Sequence, residues 1–486
     1  MRNDKCRRTG ILTALILAIL GAGMARSTPA SGTALTVYNN DLVLVRDRRS
    51  FPVEKGTHVL RFSDIARTLD ATSVNVASLT DPKGFRILEQ NYEYDLVNQQ
   101  KLLSRYIGRE ITLLKFGADS QSRGEDLKVQ LLSADGHSMV VQKGDGSILN
   151  VQASQGVQFP KLPEGLILKP SLTWLVRSES GGEQVLNLAY LASGMSWHAD
   201  YTLLVDEAET KADLNAWVTL NNNTGTTFRD ARLKLLAGDV NRVLPAPRAR
   251  MLAAAKMEMA DGAQEAAFAE KTFSEYHLYT LSRTTTLKSD ETKQIELLSA
   301  AQVPVKKEYT YDGAGIGYWG GEGFTDPSYG ATSANRKIDV VLKVENEAAS
   351  GLGQPLPAGK VRVYKRDSDG SQEFLGEDSI GHTPKDETVK VKMGQAFDVT
   401  GSRKQTHFSN PKANQIEESF EITLRNHKKE PVTVKVVEHL YRWSNWKIEV
   451  SSQSHEKKDA RTVEFAVKVP ADGKATVTYT VRYWWK

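Results

Sequence analysis

Cysteine is all but absent from this chain. Its 486 residues include one, Cys6, which stands before the first apolar run. The lipid-accepting cysteine of a lipoprotein leader follows such a run, so Cys6 cannot serve that role, and a lone cysteine excludes an internal disulfide. If the leader is removed, no catalytic thiol remains either. A large charge of one sign is also missing. The formal net charge is +4, and residues 1–25 hold four positive residues and one negative, which leaves +1 for the remainder. Without a basic excess there is no electrostatic footprint for a nucleic acid. Long apolar runs are missing beyond the start: mean hydropathy is −0.41, and charges interrupt the later runs, so no further membrane-spanning helix is expected.

The exception is Ile11 to Ala25, an uncharged stretch preceded by Arg2, Lys5, Arg7 and Arg8. A charged start and a short apolar run form a secretory signal, and the run is shorter than the roughly 20 residues a spanning helix needs. Gly23 and Ala25 predict cleavage after Ala25. The expected location is therefore periplasmic or extracellular, including the cell surface. The remaining chain of about 460 residues, uncrosslinked, must be held by ordinary cores in about two to four domains.

Apolar residues alternate with polar ones in short runs along most of the chain, the mark of half-buried strands. The predicted fold class is all-β: tandem β-sandwich (immunoglobulin-like) domains with a small β-barrel-like insert. Residues 33–95 are predicted to form an N-terminal sandwich. Residues 96–169 read as a short helix over 96–107 followed by a barrel-like module, its hairpins turned by Asp135-Gly136 and Asp145-Gly146. Residues 170–312 form a central sandwich, interrupted at 246–270 by an Ala-, Met- and Glu-rich insertion that is poor in β-branched residues and expected to be flexible. A Gly- and aromatic-rich loop follows at 313–335, then a C-terminal immunoglobulin-like sandwich over 336–486. A membrane β-barrel is disfavoured by Lys and Glu on both faces of the segments.

Few clusters could carry chemistry. His198 and Asp200 share one face of a predicted strand and could act as a polar pair, with Trp197 and Tyr201 packing on the other face. With Asp239 they are the candidate groups of a hydrolase assembled from dispersed residues. Gly194-Met-Ser196 lacks the second glycine of a nucleophile elbow. Asp367, Asp369, Gly370 and Glu373 contain part of a calcium-loop pattern without its twelfth-position glutamate, and a hairpin turn explains them better. Glu275 with His277, and Glu438 with His439, form no HExxH motif. Tyr318, Trp319, Phe324 and Tyr329 in the glycine-rich loop could stack on sugars or fill a partner's pocket. No metal site, cofactor or catalytic motif is expected.

The residues do carry a resemblance. Tyr190-Leu-Ala-Ser-Gly194-Met-Ser-Trp197-His-Ala-Asp200-Tyr201, Asp213-Leu-Asn-Ala-Trp217 and Ala237-Gly-Asp239-Val-Asn241 resemble bacterial proteins grouped as domain of unknown function 4139. Glu275-Tyr276-His277-Leu-Tyr279 and Tyr311-Asp-Gly313 match later blocks, and the likeness covers most of residues 170–486. The start (Thr36-Val-Tyr38-Asn39, Gly56-Thr-His-Val-Leu60, Leu69-Asp70) is similar to the leading domain of the mucoidy inhibitor proteins. Those proteins carry a long coiled coil between the two regions, where this chain has only residues 96–107 and the β module. The resemblance implies no assigned activity. The reading favoured by the sequence is an exported, non-catalytic envelope protein acting as a scaffold for protein or glycan contacts. A carbohydrate-active or peptide hydrolase is the alternative, and a strand-exchanging chaperone would require an open sheet edge.

Overall fold

The computed structural model describes residues 32–114, 126–152, 156–238, 240–241, 268–313, 325–328, 332–333 and 335–485. Among these, one α-helix (Gln99–Tyr106) and two short 3-10 turns stand against a long series of β-strands. The all-β class follows from the alternation in the sequence. In Met195–Val205, for example, Trp197, Ala199, Tyr201 and Leu203 are buried while His198, Asp200, Thr202 and Leu204 face outward.

A seven-stranded sheet runs in the order Phe268–Phe273, Tyr276–Leu287, Phe228–Ala237, Gly32–Tyr38, Leu42–Val53, Gly182–Ala192, Asn75–Ser78. A three-stranded sheet of Gly56–Ser63, Ser171–Ser178 and Phe85–Glu93 shares its core, where Phe62 packs between Phe51 and Trp174 at ring separations of 5.5 and 5.6 Å. Residues 33–95 therefore do not close on themselves. Gly32–Tyr38 pairs in parallel with Phe228–Ala237, and Leu42–Val53 pairs with Gly182–Ala192. Local periodicity identifies these strands but carries no information about which distant strand supplies the partner.

The segment between them folds as its own small unit. Asn98 caps the helix by accepting a hydrogen bond from Lys101 N at 2.9 Å, and Leu103 and Tyr106 pack on Ile111, Leu131, Met139 and Val141 of a five-stranded sheet. Gly136 and Gly146 adopt φ of +89° and +84° in the hairpin turns, the backbone that Asp-Gly favours. The sheet is open. Its end strands, Val157–Gln158 and Ile148–Gln152, do not pair with each other, so the barrel-like expectation becomes a curling sheet capped by a helix.

The third architectural element is a fourteen-stranded sheet that crosses two cores. Glu291–Asp312 and Thr388–Lys412, of 22 and 25 residues, make this possible. Ile295, Leu297, Val303, Val389 and Val391 belong to the central core, while Tyr309, Tyr311 and Val399 belong to the C-terminal one. The division expected near 313–335 is consequently not the division between cores. Leu342, Val344, Val361, Val363 and Ile380 are buried in the central core, and Gly359–Arg366 pairs in parallel with Met195–Val205. The insertion expected at 246–270 lies mostly outside the described residues, but its last three belong to the edge strand Phe268–Phe273.

Candidate functional site

The patch around His198 and Asp200 is built by three neighbouring strands. Met195–Val205 supplies both residues, Lys211–Asn222 places Thr219 opposite His198 and Trp217 opposite Asp200, and Gly359–Arg366 places Lys360 opposite Asp200. Thr219 Oγ1 donates to Asp200 Oδ2 at 2.6 Å and accepts from Gln294 Nε2 at 3.1 Å. His198 Nε2 lies 3.1 Å from the same carboxylate oxygen, and Arg362 Nη1 lies 3.3 Å from the other. Arg362 and Lys360 both reach Glu377, at 3.5 and 3.0 Å. The Asp200 carboxylate is thus engaged on both oxygens by side chains of the same sheet face.

The inner side of these strands is apolar. Trp197 Nε1 donates to Leu236 O at 3.3 Å and Tyr201 Oη to Pro357 O at 2.7 Å, so both aromatics satisfy their polar tips while buried. Burial raises the Tyr201 hydroxyl pKa far above its ordinary value, which keeps it a neutral donor. A cavity of about 20 Å³, lined by Tyr201, Leu203, Val344 and Val361 among other apolar groups, lies on this inner side. That is room for about one water, and it is separated from His198 by the sheet itself.

The remaining sequence candidates do not join the patch. Asp239, Tyr318, Trp319, Phe324 and Tyr329 lie outside the described residues. Asp367, Asp369 and Gly370 form the hairpin turn between Gly359–Arg366 and Gln372–Ile380, with Asp369 Oδ1 accepting from Ser371 N at 2.8 Å. His277 pairs with Glu270 at 2.8 Å. His439 pairs with Asp312 at 3.1 Å, and that hydrogen bond raises the imidazole pKa above its ordinary 6.5. Among the described residues no three His, Cys, Asp or Glu side chains gather as a metal site.

A second polar cluster was not anticipated as a unit. Inside the C-terminal core, Arg403 Nε lies 2.9 Å from Glu438 Oε2, and Arg442 Nη2 lies 2.7 Å from Glu418 Oε1, with all four side chains fully buried. Tyr479 donates to Glu438 at 2.5 Å and Gln405 to Glu418 at 2.7 Å. Phe420 lies under the Arg403 guanidinium at 3.9 Å. Burial opposes the charge on Arg403, but Glu438 outweighs it and holds the pKa above the ordinary arginine value. Burial, reinforced by Glu438, pushes the Tyr311 hydroxyl up to about 12. The sequence signal was phase: Glu418 occupies the inward alternation of Ile416, Phe420 and Ile422, and Glu438 that of Val434 and Val436. Two carboxylates are matched by two guanidiniums, which offsets part of the cost of burying each charge.

Residues 186–485 match the family described as Domain of unknown function (DUF4139). The chain belongs to that family. The DUF4139 region holds the His198–Asp200 patch and both buried ion pairs, whereas the three-stranded sheet and the small helix-capped module precede it in sequence. No curated protein matches the chain. The DUF4139 description assigns no activity, so it gives no residue of either cluster a role.

Proposed function

We propose that the protein is an exported, non-catalytic scaffold of the cell envelope, periplasmic or surface-facing, that holds a protein or glycan partner on its sheet surfaces. The observation that supports this most is the commitment of Asp200 to Thr219, His198 and Arg362 on the outward face of a sheet. A general base needs a reacting group within hydrogen-bond reach and a hollow that holds it; here the polar groups serve one another across strands. Export is supported by the charged start and the apolar run Ile11–Ala25.

Proximity crosslinking of the tagged full chain in cells tests the reading. Capture of a consistent envelope protein or glycan partner is expected, together with an intact mass lacking about 25 residues. Recovery of the full-length chain from the cytoplasm, with no consistent partner, would contradict it.

A further inference from the structure

One aromatic side chain on the outward face has no hydrogen bond, ring or cation partner among the described residues. Trp217 is 41% exposed in the middle of Lys211–Asn222, although Ala216 and Val218 on either side are fully buried. Pairing with Glu291–Asp312 shifts register between Ala216 and Trp217, skipping Leu297 on the partner strand, so the bulge lies there and Trp217 keeps the outward alternation of its own strand. Directly opposite stands Glu296, also exposed, between the buried Ile295 and Leu297. Paired positions on one sheet face bring side chains about 5 Å apart at Cβ, so an indole and a carboxylate occupy neighbouring positions.

The nearby cations are occupied elsewhere. Lys360 reaches Glu377 at 3.0 Å and Arg362 reaches Asp200 at 3.3 Å. On the other flank of the indole, Asp200 is already engaged, whereas Glu296 makes no ion pair or hydrogen bond among the described residues. The row Asp200, Trp217, Glu296 therefore offers a π face and an uncommitted negative charge, and no cation of the described chain covers that ring.

We propose that Trp217 and Glu296 together bind a basic side chain, an arginine or lysine of a partner polypeptide. The indole face attracts the cation through its quadrupole, and the Glu296 carboxylate supplies the opposite charge. A guanidinium fits best, because its plane stacks on the ring while its edge donates to the carboxylate. A neutral sugar could use the ring but would leave the carboxylate without a charged partner. The proposal names a partner chemistry for the scaffold reading and rests on that reading.

The test is a fluorescence titration of the full chain with a hexa-arginine peptide at low salt. Saturable binding is expected, weakened about three- to tenfold by Trp217→Ala and by Glu296→Gln, and weakened by added salt. Glu296→Gln keeps the side chain's size on an exposed position, so an unchanged melting temperature separates binding from folding. Equal affinity in the wild type and both variants, or no saturable binding, would overturn the proposal. Trp217-dependent retention on a neutral dextran matrix that Glu296→Gln leaves unchanged would also overturn it, giving the face to a glycan. Either result leaves the crosslinking experiment to decide the scaffold reading separately.

Discussion

The Arg403–Glu438 and Arg362–Asp200 pairs each join a guanidinium to a carboxylate, yet their surroundings differ completely. The first has no exposed side-chain surface and a contact of 2.9 Å; the second is 39% and 15% exposed, with a contact of 3.3 Å. Removing charge from water is costly, so a buried pair depends on further partners; here Tyr479 donates to Glu438 and Phe420 lies under the guanidinium. An exposed pair is screened and worth about 0–1 kcal/mol. The comparison separates a buried layer, where removing one partner strands the other, from a polar surface whose groups can be changed with little effect on the fold.

Breaking the buried layer should give the largest effect. Arg403→Ala leaves Glu438 charged in the core and should cost about 3–5 kcal/mol in urea unfolding. Replacing both partners, Arg403→Met with Glu438→Leu, should cost less than the single change because no charge is stranded. A double variant worse than the single would contradict this account of the layer. Trp197→Ala and Tyr201→Ala should each cost about 3–5 kcal/mol by deleting a buried aromatic under the exposed patch. A loss below about 1 kcal/mol for either would show that the inner side is not close-packed.

A smaller effect is expected where Gly359–Arg366 meets Met195–Val205. A Cβ at Gly359 would come within 2.0 Å of Ala199 O, so Gly359→Ala should destabilise by about 1–3 kcal/mol through forced strand separation, read from the thermal melt. The smallest effect concerns His439, whose pKa is raised by its hydrogen bond to Asp312, with burial opposing. Its folded value lies above its unfolded one, so its contribution is present below the unfolded pKa of 6.5 and is lost as pH rises through the folded value. The pair is 43% and 48% exposed, so screening keeps the change small. Asp312→Asn should flatten this part of the pH–stability curve, and an unaltered curve would rule out the linkage.

The sequence made the strands legible because burial imposes a period of two. Trp197 and Tyr201 were placed inward and His198 and Asp200 outward by that rule, as they are found. Partner choice was not legible, because nothing local in Gly32–Tyr38 announces a parallel partner two hundred residues on. Nor was the extent of Glu291–Asp312 and Thr388–Lys412, whose alternation looks the same in either core. The buried ion pairs are not legible in any one strand: Glu418 and Glu438 are matched by Arg442 and Arg403 from other segments of the chain.

The claim that His198 and Asp200 serve the sheet face and are not a catalytic centre is tested most directly by one double variant, His198→Asn with Asp200→Asn. Phenotypic rescue should be measured beside a thermal melt, with wild type as reference. The account predicts rescue close to wild type and a stability change of no more than about 1 kcal/mol. Loss of rescue with an unchanged melting temperature would contradict it and favour a hydrolase using these two residues.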